Sequence, residues 1–398
     1  MGVLRIPFYK PTISFDDFVS AIKSRISRVN FEAEFASFLN SNSSKVLFLD
    51  SGTSAFYLFL KLFTKKGDEI ILPSLLCPIM LSPVINLQRK PVIVDIDPET
   101  FNISTEDLEK KISEKTRVIV PVHTYGQVCE IEDVMKIAEE KEILVLEDCA
   151  HALGAKFKGK MAGTFGHASF FSLNWTKVIT SGGGGILVLN HLNVDDVNGI
   201  SLSKISKIIK ISKLLTASIL IGRWNLVYAC YRNLQKIIPR KIFVTPQNSD
   251  LMTYSRNIAN KNITPKALDD FSLKLTAVSF KKLKWLNEKR REIARIYYDV
   301  LEGAENIKLP IVQKDREHIF YVFTVRVKKR DKIKDELLKR GIETAVVWPI
   351  PLHEIVGGDC PNCSVIVREI LSLPIYPYLS EEDAICVAEN LIKVARCV

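Results

Sequence analysis

The alternation of strand-like and helix-like segments between residues 45 and 190 constrains the fold of this chain more than any other feature. Short runs rich in β-branched and apolar residues are separated there by stretches with the apolar spacing of helices. This pattern predicts an α/β fold with a doubly wound, mostly parallel sheet, whose ligands bind at the carboxyl ends of the strands. The predicted strands are Lys45 to Leu49, Glu69 to Leu72, Pro91 to Asp95, Arg117 to Val122, Ile143 to Leu146 and Gly185 to Leu189, and the predicted helices are Thr53 to Phe63, Pro78 to Leu87, Thr105 to Ile112 and Ile131 to Glu140.

A second, smaller domain is expected because 398 residues exceed what one compact core usually holds. A long charged helix pattern begins after Asn262 and runs to about Leu301, and further strand-like and helix-like segments follow it. We predict a large domain at residues 1–258 and a smaller C-terminal α/β domain at residues 259–398. The further segments are a strand from Ile319 to Val327 and helices from Asp331 to Arg340 and from Glu381 to Val394.

Residues 191–250 do not fit the alternation and form a basic and apolar insertion. Lysines recur in it at helical spacing and precede an apolar run, Leu214 to Tyr231, which Arg223 and Asn225 interrupt. These polar residues argue against a transmembrane helix. Two interpretations remain: a helical hairpin packed on the body or on a partner subunit, and a basic amphipathic element at residues 195–245 on an anionic membrane surface.

The composition excludes several other classes of protein. A formal net charge of +10 favours acidic partners, but no nucleic-acid recognition motif is present, so we expect no nucleic-acid binding. The segment Met1 to Lys10 has no apolar core of signal-peptide length, which favours a cytoplasmic protein. The close pair Cys360 and Cys363 has no second pair or adjacent histidine to complete a site, so no metal is predicted.

Lys177 is the first candidate for a chemical role. It ends the segment Ser172-Leu-Asn-Trp-Thr-Lys177 and is followed by four consecutive glycines, Gly182 to Gly185, and by a strand. Glycines let backbone and ligand approach closely, so a lysine at this point can project into a cleft. A surface lysine beside a flexible loop is the alternative, and this feature alone does not decide between them.

Asp148 is the second candidate, because the predicted strand from Ile143 leads directly into Glu147 and Asp148. A buried carboxylate at a strand end needs a cationic or proton-sharing partner. The protonated ring nitrogen of pyridoxal phosphate is such a partner, and pairing with aspartate makes the ring a stronger electron sink. Asp148 is equally compatible with a helix cap for the residues from Ala150 onward.

The segment Asp50-Ser-Gly-Thr-Ser54 is the third candidate, since it joins the first strand to the first helix of the alternation. Free backbone N–H groups at such a helix start form a phosphate-binding arrangement. The alternative is an ordinary N-cap by Thr53 or Ser54. A phosphate cradle, a strand-end aspartate and a lysine are together the parts of one cofactor site.

A series of short segments, in a fixed order over most of the chain, resembles the motifs of one enzyme family. They are Ser51-Gly-Thr, Leu72-Pro-Ser, Pro121-Val-His-Thr-Tyr-Gly-Gln127, Glu147-Asp-Cys-Ala-His-Ala-Leu-Gly-Ala155, Phe171-Ser-Leu-Asn-Trp-Thr-Lys177, Lys289-Arg-Arg-Glu-Ile-Ala294, Trp348-Pro-Ile-Pro-Leu-His353 and Leu373-Pro-Ile-Tyr. The chain thereby resembles the DegT/StrS sugar aminotransferases, which have the fold of aspartate aminotransferase, fold type I. The resemblance spans everything except the insertion at 191–250.

The resemblance implies a role for individual residues and a homodimer with the active site at the subunit interface. Lys177 resembles the lysine that carries pyridoxal phosphate as a Schiff base, and Asp148 resembles the partner of the ring nitrogen. His151 stands near the expected position of the cofactor's phenolic oxygen. His123 and His353 also match motif positions, but we expect each to be an ordinary histidine with satisfied hydrogen bonds. The residues expected to bind the phosphate are Gly52, Thr53, Ser54 and Ser172.

The chain departs from the family pattern at three places. An acidic residue common after the lysine is replaced by Gly183, and the aromatic residue often stacked on the cofactor ring is replaced near Cys77. The Asn-x-Arg element that reaches the phosphate from the neighbouring subunit should fall near residues 265–267 and is missing there. Candidate substitutes are Lys261, Asn262 and Lys266.

These observations predict an aminotransferase that moves an amino group from an amino acid, glutamate first, to a keto sugar linked to a nucleotide. Lys177 would act as the general base and acid. Two alternatives stay open: a non-catalytic or regulatory protein that keeps the fold, and a cofactor-dependent sugar dehydratase. The dehydratases of this family typically have histidine in place of the lysine, so Lys177 speaks against the second alternative.

Overall fold

The computed structural model describes residues 5–41, 44–190, 192 and 263–398 of the chain. Among the helices of these residues, none is both long enough and apolar enough to cross a membrane. The insertion at 191–250, apart from residue 192, lies outside the described residues, and so does the proposed membrane-surface segment 195–245. The predicted domain boundary between residues 258 and 259 also lies outside them and stays a prediction.

A seven-stranded sheet lies at the centre of the N-terminal part of the chain. The strands up to residue 189 are β1 (Lys45–Leu49), β2 (Glu69–Pro73), β3 (Lys90–Val94), β4 (Thr116–Ile119), β5 (Leu144–Asp148), β6 (Lys156–Phe157), β7 (Lys160–Met161), β8 (Ala168–Ser172) and β9 (Gly185–Leu189). The order in the sheet is β1-β9-β8-β5-β4-β2-β3. The pairs from β8 through β5, β4 and β2 to β3 are parallel, and β9 runs antiparallel to both of its neighbours.

Helices cover both faces of this sheet because both faces of its strands are apolar. Successive strand residues point to opposite sides, so that Val145 and Val188 pack in one core cluster with Phe35, while Leu146 and Leu187 pack in the other. The helices of this part are α1 (Phe15–Lys23), α2 (Arg28–Phe38), α3 (Gly52–Phe63), α4 (Leu81–Asn86), α5 (Thr105–Lys111) and α6 (Ile131–Glu140). This is the doubly wound α/β architecture that the sequence predicts.

The C-terminal part has a core of its own, built on a three-stranded antiparallel sheet. Its strands are β10 (Ile307–Lys308), β12 (Phe323–Val327) and β13 (Ile370–Leu373), with β11 (Arg316–Glu317) pairing instead with β6. Ile6 of the N-terminal segment forms a β-bridge to Ile342 and thus joins this part. The helices are α7 (Asp270–Phe280), α8 (Leu283–Leu301), α9 (Arg330–Lys339), α10 (Leu352–Val356), α11 (Pro361–Glu369) and α12 (Glu381–Cys397).

Three local predictions need correction. The strand β8 was absent from the predicted set, and the strand expected from Ile319 begins at Phe323. The spacing of Ser104 and Asp107 in the sequence also predicts a capping box at the start of α5, and Ser104 does accept a hydrogen bond from the Asp107 N–H. The Asp107 carboxylate, however, accepts from the N–H of Asp95 and pairs with Lys111. It therefore links α5 to the end of β3 rather than closing a reciprocal capping box.

Candidate active site

A cleft of about 580 Å³ opens at the carboxyl ends of the central strands and is lined by both parts of the chain. Because every sheet strand except β9 runs in the same direction, the loops after β1, β5 and β8 meet at this edge. The structure places the following predicted residues in the lining: Gly52, Thr53, Asp148, His151, Ser172 and Lys177. Ser54 does not line this cleft.

Lys177 follows β8 and is partly buried in the cleft. Its Nζ lies 4.9 Å from the centre of the Tyr321 ring, within cation–π range. Its charge acts on both Asp148 and His151. The interpretation as an isolated surface lysine is therefore wrong.

The glycine run after Lys177 allows two strands to meet beside the cleft. Gly185 pairs with Leu49 on one side and with Ser172 on the other. A Cβ at Gly185 would lie 2.4 Å from the backbone of Ser51 and Gly52, so no larger residue fits there. This close approach brings the end of β8, which leads to Lys177, against the start of α3.

Asp148 is the last residue of β5, and its side chain is buried beside the cleft. Among the described residues, its carboxylate accepts one hydrogen bond, from the Ala150 N–H at 2.9 Å. The helix-cap interpretation is wrong because no helix follows. Burial raises the pKa of Asp148 from 3.8 to about 6, against the opposing effects of the Ala150 N–H, Lys177 and His123.

Asp148 makes the cofactor-free protein less stable as pH rises. Its folded pKa is raised above the unfolded value, so its contribution is fully present below pH 3.8 and is lost as pH rises through about 6. A difference of this size corresponds to roughly 3 kcal/mol. We expect Asp148→Asn to stabilise the cofactor-free protein by up to that amount above about pH 7, with the two proteins converging near pH 4. Urea unfolding of both proteins from pH 4 to 8 measures this, and a difference independent of pH would contradict it.

The start of α3 forms the predicted cradle, although its cap differs from the predicted one. Ser51 is the N-cap, and its Oγ accepts from the Ser54 N–H at 3.0 Å. The Ser54 N–H is therefore already hydrogen-bonded and cannot donate to a phosphate, and the Ser54 side chain is buried. In the described part of the chain, the N–H groups of Gly52 and Thr53 have no hydrogen-bond partner. Together with Ser172 they present donors at the positive end of a helix, which suits an anion.

His151 lies in a stack of aromatic rings that the sequence analysis did not identify. Its ring is 4.1 Å from the centre of the Tyr321 ring and 4.6 Å from that of Trp348, both nearly parallel to it. Burial, and then the charge of Lys177, lowers the pKa of His151 well below its usual value, so the imidazole is neutral at pH 7. Its Nδ1 is buried without a hydrogen-bond partner in the described structure.

Two residues of this stack have strained backbones. Trp348 adopts φ 59° and Tyr125, whose ring is 5.9 Å from that of Trp348, adopts φ 57°. Left-handed backbone at bulky residues is uncommon and tends to cluster at functional sites. Both residues belong to motif segments quoted above, but no periodicity in the sequence indicated that they would meet His151.

His123, Glu147 and Cys149 bring potential metal ligands within 4.8 Å of one another. The Glu147 carboxylate, however, accepts hydrogen bonds from His123 Nε2 at 2.9 Å and from three backbone N–H groups, those of Gly163, Phe165 and Gly166, at 2.7–2.8 Å. The other ring nitrogen of His123 accepts from the Cys129 N–H. The ring nitrogens of His123 and the carboxylate of Glu147 are therefore already hydrogen-bonded. Through the three backbone N–H groups, Glu147 fixes the connection between β5 and β8, which follows Asp148.

His353 and the two neighbouring cysteines are also structural. His353 bonds through Nδ1 to Ser74 at 2.6 Å and through Nε2 to Ser364 at 2.9 Å, as expected for an ordinary histidine. Burial raises the pKa of the Cys360 thiol to about 11 and that of Cys363 to about 12. Both thiols therefore stay protonated at neutral pH, and protonated thiols are poor ligands and nucleophiles.

A smaller cavity of about 300 Å³ adjoins the cradle. Ser51, Thr53 and Ser54 line it from α3, and Lys266 lines it from the segment before α7. That segment is held by a hydrogen bond from the Asp50 N–H to the Lys266 carbonyl, at 2.9 Å. Of the predicted substitutes for the missing Asn-x-Arg element, Lys266 thus lies beside the cradle, whereas Lys261 and Asn262 fall outside the described residues.

Comparison with known proteins points to one family. Residues 24–198 and 254–392 match the model of the DegT/DnrJ/EryC1/StrS aminotransferase family. An uncharacterized protein of Methanocaldococcus jannaschii is 30% identical over 92% of this chain and 89% of its own. A UDP-N-acetyl-3-dehydro-alpha-D-glucosamine 3-aminotransferase of Acidithiobacillus ferrooxidans is 27% identical over 84% of this chain and 79% of its own. The fold matches that of the PLP form of a putative sugar aminotransferase, Spr1654, from Streptococcus pneumoniae, with a TM-score of 0.75 and 22% identity over 98% of this chain and 99% of that one.

Proposed function

This chain belongs to the DegT/DnrJ/EryC1/StrS aminotransferase family, and from that premise we propose that it transfers an amino group from an amino acid to a keto sugar linked to a nucleotide. We propose glutamate as the donor and pyridoxal phosphate as the cofactor. The observation that carries the proposal is the meeting of Lys177, Asp148 and the start of α3 in one cleft.

The residues present fit this cofactor. Asp148 is a buried carboxylate with one hydrogen-bond donor among the described residues, and such a group is stabilised by a cation such as a protonated ring nitrogen. The N–H groups of Gly52 and Thr53, which no described residue accepts from, suit its phosphate. The buried Nδ1 of His151 has no partner among the described residues either, which suits the phenolic oxygen. When bound, the cofactor supplies the carbonyl carbon that receives the amino group and a ring that withdraws electrons.

In this mechanism each residue of the chain has a separate task. Lys177 Nζ would take the proton from the donor carbon that bears the amino group and deliver it to the cofactor carbon that receives that group. In the sugar half-reaction it would move a proton from that cofactor carbon to the carbon that bore the keto group. Asp148 would hold the protonated ring nitrogen with its negative charge. His151, neutral at pH 7, offers a hydrogen bond without adding a charge. The aromatic ring of Tyr321, in contact with the Lys177 ammonium, restricts where Nζ can move.

Three observations support a nucleotide-linked sugar as the acceptor. The cleft of about 580 Å³ is larger than an amino acid requires and is in the range of pockets for drug-sized ligands. A relative that covers most of this chain carries a UDP-linked keto sugar in its name. The net charge of +10 agrees with a substrate that bears a diphosphate.

A direct assay tests the proposal. We expect the purified protein with pyridoxal phosphate to convert L-glutamate to 2-oxoglutarate and to aminate at least one member of a panel of keto-sugar nucleotides, detected by mass spectrometry. A panel that differs in nucleotide and in the position of the keto group identifies the substrate. Failure of the half-reaction with every amino donor would instead favour the non-catalytic alternative.

Three further expectations from the sequence belong to this proposal. The enzyme is a cytoplasmic homodimer, and residues 195–245 provide at most a peripheral membrane contact. Flotation with anionic liposomes, comparing the full chain with a variant that lacks residues 195–245, tests the membrane contact. Equal binding by both proteins would exclude a role for the insertion.

A further inference from the structure

Arg290 is a buried cation that the proposed function does not yet use. It lies on α8, its side chain is 1% exposed, and it lines the cleft together with Lys177. It belongs to the motif segment Lys289-Arg-Arg-Glu-Ile-Ala294, in which its neighbour Arg291 is instead on the helix surface and paired with Glu288.

The guanidinium of Arg290 lacks an anionic partner in the described part of the chain. Its Nη1 donates to the Leu286 carbonyl of its own helix at 3.2 Å, and its Nε has no hydrogen-bond partner there. Asp17, which acts electrostatically on Tyr378 as Arg290 does, forms its ion pair with Lys282 instead, at 2.6 Å. Burial lowers the pKa of Arg290 only to about 10, so the side chain is charged at neutral pH. A buried charge without a counter-ion is costly, so this position in the cleft is suited to bind an anion.

The surroundings place this charge near the reacting lysine. Arg290 interacts electrostatically with Tyr9 and Tyr321. The Tyr9 hydroxyl donates to the Trp175 carbonyl, and the Tyr321 hydroxyl donates to the Thr176 hydroxyl at 3.2 Å. Both tyrosines thus contact the residues just before Lys177, and the Tyr321 ring also lies under Lys177 Nζ. Arg290 lines the cleft from α8 in the C-terminal part of the chain, whereas the phosphate cradle is the start of α3 in the N-terminal part.

We propose that Arg290 binds the α-carboxylate of the amino donor and is a specificity-determining residue of the donor half-reaction. This inference rests on the proposed function. A carboxylate attached to the carbon that reacts with Lys177 must lie close to Nζ, whereas the diphosphate of a sugar nucleotide is separated from its keto carbon by the sugar ring. The planar guanidinium can bind a carboxylate through two parallel hydrogen bonds. Nε, which has no hydrogen-bond partner among the described residues, is available for one of them.

The test separates the two half-reactions. Because the two substrates react in turn, kcat/KM for glutamate reports the donor step and kcat/KM for the keto sugar reports the acceptor step. We expect Arg290→Gln to lower kcat/KM for glutamate about 100-fold while kcat/KM for the sugar changes less than about 3-fold. Arg290→Lys, which keeps the charge but loses the planar geometry, should lower the glutamate value about 10-fold. Arg291→Gln is the matched control and should change neither value.

A binding measurement supplies a readout that does not depend on turnover. Glutarate, which is glutamate without its amino group, should raise the Tm of the wild-type holoenzyme but not that of Arg290→Gln. Without glutarate, Arg290→Met should be at least as stable as the wild type, because it removes a buried charge that no described carboxylate neutralises.

The outcomes distinguish this inference from the proposed function. If the wild type reacts with no amino donor, the proposed function fails. If the wild type reacts and Arg290→Gln leaves kcat/KM for glutamate unchanged, or lowers both values equally, the assignment of Arg290 is wrong. Equal stabilisation of both proteins by glutarate would also overturn it, and loss of folding in Arg290→Gln shifts the kinetic comparison to Arg290→Lys.

Discussion

Replacing Lys177 by alanine is expected to abolish transamination and to leave the fold intact. Removing a general acid–base group lowers the rate of the catalysed step by about 10²–10⁴-fold. The family resemblance also implies that Lys177 holds the cofactor covalently. The expected fall in the rate of the donor half-reaction is therefore at least about 10³-fold. The cost in folding stability is small because the side chain is partly exposed and packs against the Tyr321 ring through its Nζ.

Single-turnover mixing of the holoenzyme with glutamate, followed through the absorbance of the cofactor, measures this effect. Lys284→Ala, which removes an exposed lysine from α8, is the control and should react as the wild type does. Thermal unfolding of both variants checks that the fold is retained. A Lys177→Ala protein that reacts with glutamate within 10-fold of the wild-type rate would show that another residue moves the proton.

Replacing Glu147 by alanine is expected to have the largest effect on stability. The substitution leaves the ring N–H of His123 and the backbone N–H groups of Gly163, Phe165 and Gly166 without an acceptor in a fully buried site. Each buried donor without a partner costs about 1–3 kcal/mol, and breaking a buried charged contact costs about 3–5 kcal/mol. We expect a loss of about 4 kcal/mol or more for the unfolding of the central sheet.

Glu147→Gln tests the same contacts with a side chain of nearly the same shape. Its oxygen can still accept from Phe165 and Gly166, but its NH₂ group would face the donors of Gly163 and His123. His123 cannot relieve this conflict, since its Nδ1 already accepts from Cys129. We therefore expect Glu147→Gln to be destabilised as well, by less than Glu147→Ala.

Urea unfolding followed by tryptophan fluorescence measures both Glu147 variants. Glu140→Ala, which removes an exposed glutamate near the end of α6, is the control and should change stability by less than about 0.5 kcal/mol. A Glu147→Ala midpoint equal to that of the control would show that water replaces the lost acceptor. The same variant should also bind pyridoxal phosphate more weakly, because Glu147 fixes the loop behind Asp148.

Much of the central fold follows from local patterns in the sequence. The strands β1, β2, β3, β5 and β9 were predicted within a residue or two, because strands buried on both faces are short, continuous apolar runs whatever their direction. β8 was missed because Ala168–Ser172 mixes small, aromatic and hydroxyl residues and has no continuous aliphatic run. The direction of β9 was not predictable either, since strand direction depends on the path of the chain and not on the strand's own residues.

The candidate site, like the fold, could be predicted from the sequence only in part. Lys177, Asp148 and the cradle were identifiable because each occupies a recognisable local position, after a strand or at the start of a helix. Tyr9, Arg290, Tyr321 and Trp348 were not, because each reaches the cleft from a distant part of the chain. The contact of Tyr9 with Trp175 joins residues 166 positions apart. No local pattern encodes such a contact.

The sequence by itself determined the doubly wound sheet and the chemical identity of the groups at its edge, because strand and helix periodicity and the position of loops at strand ends are local properties. The tertiary structure alone decided which side chains face the cleft. It buried Asp148 enough to raise its pKa to about 6, engaged the Ser54 N–H with Ser51, and left Arg290 in the cleft wall without an anionic partner among the described residues. Burial and the absence of a partner depend on how distant segments pack, and packing is settled only when the whole chain folds.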